Sequence, residues 1–135
     1  MKKLFLITLL AQVLLLAQES KQNMFQTESF LTQTTIQINK VLPLTVNSDT
    51  RLDKVWAKEK NLFYSYTLLQ YSKANVKAKE LNGALKMQAI HEICTDPSIR
   101  IYVQNGVTIN HIYSDQDAKR ITEFKVLPSD CGFKD

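Results

Sequence analysis

Apolar and polar residues alternate most regularly in the last third of the chain. The series Val107, Ile109, His111, Tyr113 alternates with Thr108, Asn110, Ile112 and Ser114. A period of two is typical of a half-buried strand. After a polar turn at 114–119, the segment 121–127 places Phe124 and Val126 on one face and Glu123 and Lys125 on the other. We therefore predict a β-hairpin that ends before Pro128, which cannot donate a backbone hydrogen bond.

Two further strands are predicted on either side of a polar turn at 58–61. In the first strand, Asp53, Val55 and Ala57 alternate with Leu52, Lys54, Trp56 and Lys58. The second, 62–71, is rich in aromatic and β-branched residues, which favour strands. It places Tyr64, Tyr66 and Leu68 on one face, with Phe63, Ser65, Thr67 and Leu69 on the other.

Two segments have helical spacing instead. The first, 21–42, carries an apolar stripe of Leu31, Thr35, Ile38 and Leu42 and must end at Pro43. The second, 76–94, has Asn75 as a candidate N-cap and aligns Val76, Gly83, Met87, Ile90 and Cys94 on one face. Leu81 and Leu85 fall on its opposite side, so its amphipathic pattern is blurred.

The segment between Pro97 and Gly106 fits two structures. Alternation of Ile99, Ile101 and Val103 favours a strand that turns at Asn105-Gly106. The ends favour a short helix, because Asp96 can cap it and Pro97 suits its first position.

The predicted order is helix, two strands, helix, an ambiguous segment and two strands. Strands paired by short turns indicate an antiparallel sheet, and helical stripes normally cover one face of such a sheet. We therefore predict a small single α+β domain with two main helices and about four antiparallel strands.

The N-terminal segment predicts that the protein is exported. Two lysines precede an apolar run that ends at Ala17, the pattern of a secretory signal peptide at 1–17. The run is about 14 residues, shorter than the roughly 20 that span a bilayer. The prediction is a mature domain at 18–135 that is periplasmic or secreted and has no stable membrane anchor after cleavage.

Charge excludes one class of partner. Loss of Lys2 and Lys3 lowers the net charge from +4 to +2, too little to indicate binding to nucleic acid.

Predicted export affects the expected oxidation state of the two cysteines. In an oxidising compartment, Cys94 and Cys131 are expected to form one disulfide. Two free buried thiols or an intermolecular bridge are the alternatives.

Several short motifs, taken together, resemble a group of small secreted or periplasmic bacterial proteins without an assigned activity. They are Leu42-Pro43, Thr50-Arg51-Leu52-Asp53, Tyr64, Tyr66, Tyr71, Cys94-Thr95, Pro97, Asn105-Gly106-Val107, Tyr113 and the ending Val126-Leu127-Pro128-Ser129-Asp130-Cys131. The resemblance favours a helix at 98–104, supports the disulfide and implies no catalytic residues. The chain departs from the group at Asp117-Ala118, where relatives often carry a glycine.

Catalytic chemistry has little support in the sequence. It contains no phosphate-binding glycine loop, no nucleophile elbow and no paired metal ligands, so we predict no cofactor and no metal. His91 and His111 are the only candidates for acid–base catalysis, as in a small secreted hydrolase.

The favoured hypothesis is a non-enzymatic exported domain that binds another protein, as an inhibitor, an immunity protein or an accessory protein. Aromatic residues are common at interface hot spots. The predicted interaction surface therefore comprises Trp56, Tyr64, Tyr66, Arg51 and Asp53. For Arg51 and Asp53, a salt bridge within the strand is the favoured alternative.

Overall fold

The computed structural model describes residue 24 and residues 27–135. The predicted signal peptide at 1–17 and the beginning of the first predicted helix lie outside these residues. In the described part of the chain, no helix is both long and apolar enough to cross a membrane.

The domain is a five-stranded sheet with helices packed on one face. The helices are α1 (Glu28–Asn39), α2 (Ala78–Thr95) and α3 (Pro97–Gln104). The strands are β1 (Leu44–Asn47), β2 (Thr50–Lys58), β3 (Asn61–Leu68), β4 (Thr108–Ser114) and β5 (Arg120–Val126), and they lie side by side in chain order. The α+β class and the single small domain agree with the sequence.

The prediction of a wholly antiparallel, four-stranded sheet was wrong. β1 is an additional strand, and β3 and β4 are parallel neighbours, while every other pair is antiparallel. The reason lies in the connection. Residues 69–107 contain both α2 and α3, and a crossover of this length brings the chain back in its original direction.

The first helix covers one end of the sheet. Thr27 caps it, with its hydroxyl accepting from the Phe30 N–H at 3.3 Å, and the predicted stripe is buried at Leu31 and Thr35. Asn39 lies in the last turn of α1. Its side-chain amide donates to the Val55 carbonyl and accepts from the Val55 N–H, which are the bonds that a neighbouring strand would make. This contact protects backbone groups that β1 is too short to reach.

The predicted alternation of β2 was wrong at Leu52 and Asp53, because the strand contains a β-bulge there. The pairing with β3 shifts between Leu52 and Lys54, so that Leu52 opposes Tyr66 and Val55 opposes Tyr64. Leu52 therefore joins Val55 on the helix-side face, and Asp53 turns to the other face. A bulge adds one residue to one strand, and hydrophobic alternation alone cannot locate it.

The second helix packs through a face that the predicted stripe covers only in part, at Ile90, while Val76 packs against the same core from just before the helix. Ala89 and Ile93 are buried, and Leu81 and Leu85 pack with them one and two turns earlier. Met87 from the predicted stripe is 75% exposed. The true stripe repeats every four residues, and Asn82, which donates to Thr122 Oγ1 at 2.6 Å, lies beside it.

The ambiguous segment is helical, as the resemblance favoured. Asp96 accepts from the Ser98 N–H at 2.9 Å, and Pro97 occupies the first turn of α3. Gly106 follows with φ of 85°, a left-handed conformation that suits glycine.

The predicted disulfide is present. Cys94 in the last turn of α2 bonds Cys131 in a 3₁₀ turn after β5, with 5.3 Å between the two Cα atoms. The bond links α2 covalently to the segment that follows β5.

Candidate functional site

The helix-side face of the sheet carries a continuous row of stacked rings. We call this row the aromatic ladder; it comprises Tyr64, Tyr66, His111, Tyr113 and Phe124. Ring centroids are 4.8 Å apart between Tyr66 and Tyr113 and 5.0 Å between His111 and Phe124. The parallel pairing of β3 with β4 creates it, because it sets Tyr64 beside His111 and Tyr66 beside Tyr113.

His111 is the unusual member of the ladder. It is 7% exposed, and neither ring nitrogen has a hydrogen-bond partner among the described residues. Burial lowers the pKa of His111 from 6.5 to about 4, so its ring is neutral at physiological pH. It behaves as an aromatic packing residue.

Burial also holds the tyrosines of the ladder in their neutral form. It raises the pKa of Tyr64 to about 12 and raises the pKa values of Tyr66 and Tyr113 above their ordinary value. The negative charge of Glu92 adds to the shift of both Tyr66 and Tyr113. The Glu92 carboxylate is therefore close enough to act on this end of the ladder.

A groove opens above that end of the ladder, between β1 and α2. We call it the helix-side groove. Its cavity is about 200 Å³. Its lining residues are Val46, Asn47, Thr50, Tyr66, Leu85, Gln88, Ala89, Glu92, His111 and Tyr113.

The β1 wall of the groove is apolar and uncovered. Leu44 opposes Leu52, so its side chain lies on the helix-side face, and it is 50% exposed. Val46, two residues on, is 47% exposed. Val46 lines the groove together with the partly buried Leu85, which makes the groove a candidate contact for an apolar ligand.

The opposite face of the sheet, which we call the open face, is built differently. Trp56 stacks on Phe63 with centroids 5.1 Å apart, and the Lys54 ammonium lies 5.6 Å from the Trp56 ring. Asp53 binds Arg51 at 2.5 Å and accepts from the Thr67 hydroxyl at 2.6 Å. The expected salt bridge is thus present, and it satisfies both groups within the sheet.

A larger cavity of about 570 Å³ lies on the open face around Phe63, Asn110 and Ile112. Its rim carries both signs of charge, with Lys58 and Lys125 facing Glu59 and Glu123. Asn110 is already bonded to Asn61 and to the Leu62 carbonyl. His111 lines this cavity as well as the helix-side groove, but the described lining of the open-face cavity lacks the exposed aliphatic residue that β1 contributes to the groove.

The structure separates the predicted surface residues into two groups. Tyr64 and Tyr66 lie on the helix-side face, whereas Trp56, Arg51 and Asp53 lie on the open face. They do not form one continuous surface.

The two histidines are also separate. His91 is exposed on α2, and His111 is buried in the ladder. The arrangement brings together no acid–base pair, and the described residues contain no cluster of three potential metal ligands.

Sequence reasoning missed the groove because three of its parts were unrecognised. No strand was predicted at 44–47, although Leu44 and Val46 already alternate with Thr45. Leu85 was assigned to the wrong side of α2. Glu92 has no motif around it, so only the packing of α2 over Tyr66 and Tyr113 reveals its position.

The family of the chain follows from its sequence. Residues 26–122 match a family described as a domain of unknown function, DUF8479, and the chain belongs to that family. This agrees with the resemblance to small bacterial proteins of unassigned activity. No curated protein matches the sequence.

Solved structures with the same fold come from three bacteria. A protein of Pseudomonas aeruginosa described as secreted aligns with a TM-score of 0.64 at 10% identity, over 77% of this chain and 91% of that one. The pilotin EpsS of the Vibrio vulnificus type 2 secretion system aligns at 0.67 and 11% identity, over 86% and 99%. The type II secretion system pilotin AspS of Vibrio cholerae aligns at 0.64 and 16% identity, over 85% and 99%. At these identities the likeness defines the fold.

Proposed function

We propose that this chain is an exported, non-enzymatic accessory protein that binds another protein through the helix-side groove. The single observation that carries the proposal is the uncovered aliphatic wall of β1. Val46 lines a cavity together with Tyr66, Tyr113 and Leu85, and the similarly exposed Leu44 lies two residues earlier on β1. A surface of this composition is typical of the buried centre of a protein interface.

The likeness to pilotins and to a secreted protein supports the accessory role. These neighbours have the same fold over almost their whole length, and two of them belong to a secretion system. The disulfide supports export, because such bonds persist in oxidising compartments. A signal peptide at 1–17 completes this proposal, with the protein periplasmic or secreted.

Site-specific photocrosslinking in the native envelope tests the proposed function. A benzoyl-phenylalanine at position 46 or at position 85 should form one prominent adduct with a partner protein. The matched control replaces Ile112, a half-exposed apolar residue of the open face, and should form no adduct. Excess unlabelled protein should compete with the adduct.

Two results would contradict the proposal. Equal crosslinking from positions 46, 85 and 112 would mean that the groove has no special role. Turnover of a peptide, glycan or nucleic acid by the purified protein, lost in His91→Ala or His111→Ala variants that stay folded, would replace binding with catalysis.

A further inference from the structure

The helix-side groove has a charge that contrasts with the rest of the protein. The chain carries 17 lysine and arginine residues against 13 acidic ones. Among the described residues that line the groove, however, Glu92 is the only one that carries a full charge. A groove whose charged lining residue is a carboxylate is a favourable place for a cationic group of a partner.

The Glu92 carboxylate is not neutralised within the described residues. Gln88 Nε2 donates to Glu92 Oε1 at 2.9 Å, and this amide brings no charge. The ion pairs of the described chain join Arg51 to Asp53, Lys77 to Glu80, and Arg120 to Glu123, leaving Glu92 without a cation.

The rings below Glu92 favour the same kind of ligand. Tyr66 and Tyr113 stack with centroids 4.8 Å apart, and the charge of Glu92 acts on both hydroxyl groups. A tyrosine hydroxyl oxygen can accept a hydrogen bond, and the planar fork of a guanidinium carries several donors that can bind such an oxygen together with a carboxylate. Arginine suits this combination better than lysine, because its guanidinium is planar and more weakly hydrated.

The size of the cavity indicates a side chain and not a whole small molecule. Sites for small molecules usually measure about 300–1,000 Å³. The groove, at about 200 Å³, holds only part of a larger partner. Val46 in its lining, and Leu44 two residues earlier on β1, are exposed to meet the apolar neighbours of the bound side chain.

We propose that the helix-side groove binds a polypeptide segment that places an arginine against Glu92 and beside the hydroxyl groups of Tyr66 and Tyr113, with aliphatic neighbours against Val46 and along β1 toward Leu44. This inference rests on the proposed function and specifies the chemistry of the partner. The contact forms a charge-assisted pair at the groove mouth and an apolar contact along β1.

Titration with two short peptides tests the inference on the protein with its disulfide intact. The probes are acetyl-Leu-Arg-Leu-amide and its citrulline analogue, which has almost the same shape and no charge. Chemical shifts of backbone amides should change at Val46, Tyr66 and Glu92 as the arginine peptide saturates. The citrulline peptide should bind about tenfold more weakly, which corresponds to about 1.4 kcal/mol.

A matched pair of variants assigns the difference to one carboxylate. The Glu92→Gln variant should bind the arginine peptide and the citrulline peptide with about equal affinity. Glu80→Gln removes the same charge in the first turn of the same helix and should leave the tenfold difference in affinity unchanged. Thermal melting of both variants checks that they are folded.

Three outcomes would overturn the inference: equal affinity for the two peptides, shifts confined to the open face, or no saturable shift. The photocrosslinking result is independent of these. A retained adduct at position 46 together with equal peptide affinities would keep the proposed function and remove arginine recognition.

Discussion

A single residue of the ladder, His111, makes stability sensitive to pH. The imidazole packs between Tyr66 and Phe124 with no polar partner, so adding a proton would bury an uncompensated charge. Tyr64 and Tyr113 also face it, and both are neutral below pH 9 or so because burial raises their pKa values. The folded protein therefore resists protonation of this ring.

We expect the free energy of unfolding to fall by about 2–3 kcal/mol between pH 6.5 and pH 4.5. In this window, the unfolded chain binds a proton at His111 and the folded chain, with a pKa of about 4, does not. Unfolding is thus favoured as pH falls, and the full loss is reached only below pH 4. Urea unfolding at several pH values measures it.

The comparison of two histidine variants isolates this effect. His111→Phe keeps a ring in the ladder and should remove this part of the pH dependence. His91→Phe, on the exposed side of α2, should keep it. Asp115 contributes at lower pH, because the Lys73 N–H and other backbone donors hold the pKa of its carboxyl below the usual range. An unchanged slope in His111→Phe would contradict our account of this residue.

Ala118 is a second residue whose conformation matters. It has φ of 61°, in the left-handed region, within the turn between β4 and β5. The Asp115 carboxylate holds the turn by accepting from the N–H groups of Asp117 and Lys119, so alanine is kept in a conformation that costs about 1–2 kcal/mol.

Ala118→Gly should raise the free energy of unfolding by about 0.5–1 kcal/mol. It removes the strain at Cβ, partly offset by the greater entropy of glycine in the unfolded chain. The control is Ala84→Gly, at an exposed position inside α2. This substitution should lower the free energy of unfolding by up to about 1 kcal/mol. Chemical denaturation of both variants checks the opposite signs; the same sign at both positions would refute the explanation.

At the scale of elements, α2 illustrates how packing selects a helix face. Its sequence offers two weak stripes. The sheet takes the one that brings Leu81, Leu85, Ala89 and Ile93 over β4 and β5. Met87 is left exposed.

Ile93→Ala should lower the free energy of unfolding by about 2–4 kcal/mol, since Ile93 is 3% exposed. Met87→Ala should change it by no more than about 0.5 kcal/mol. Urea unfolding of the two variants provides the measurement. Similar losses in both would mean that α2 packs through the face that hydrophobic periodicity predicted.

At the scale of the whole molecule, the disulfide closes the crossover. Cys94 and Cys131 are 37 residues apart in sequence, and the loop between them contains α3 and the terminal hairpin. In the chain-entropy view, such a bond stabilises the fold by restricting the unfolded state.

The double substitution Cys94→Ala, Cys131→Ala should lower the free energy of unfolding by about 2–4 kcal/mol, the usual range for a bond that closes a loop of this length. Thermal melting with and without reductant measures the same effect in the unsubstituted protein. If reduction leaves the melting temperature unchanged, the bond has no stabilising role and its contribution must be sought elsewhere.

The sequence by itself determined the local elements of this protein. Alternation located β4 and β5, end signals and family resemblance placed α3, and Pro43 set a limit before which α1 ends, at Asn39. Two cysteines sufficed to indicate the disulfide once export was inferred. Each of these conclusions depends on interactions between near neighbours in the chain or on the chemistry of one residue type, so the sequence pattern contains the information.

Only the tertiary structure decided which elements meet. The parallel pairing of β3 with β4 joins Tyr66 to Tyr113, residues 47 positions apart, and the bulge in β2 sets Leu52 on the same face as Val55. The groove arises where β1 and α2 approach the same end of this ladder. Such contacts depend on how the whole core packs, a long-range property that neither periodicity nor propensity encodes.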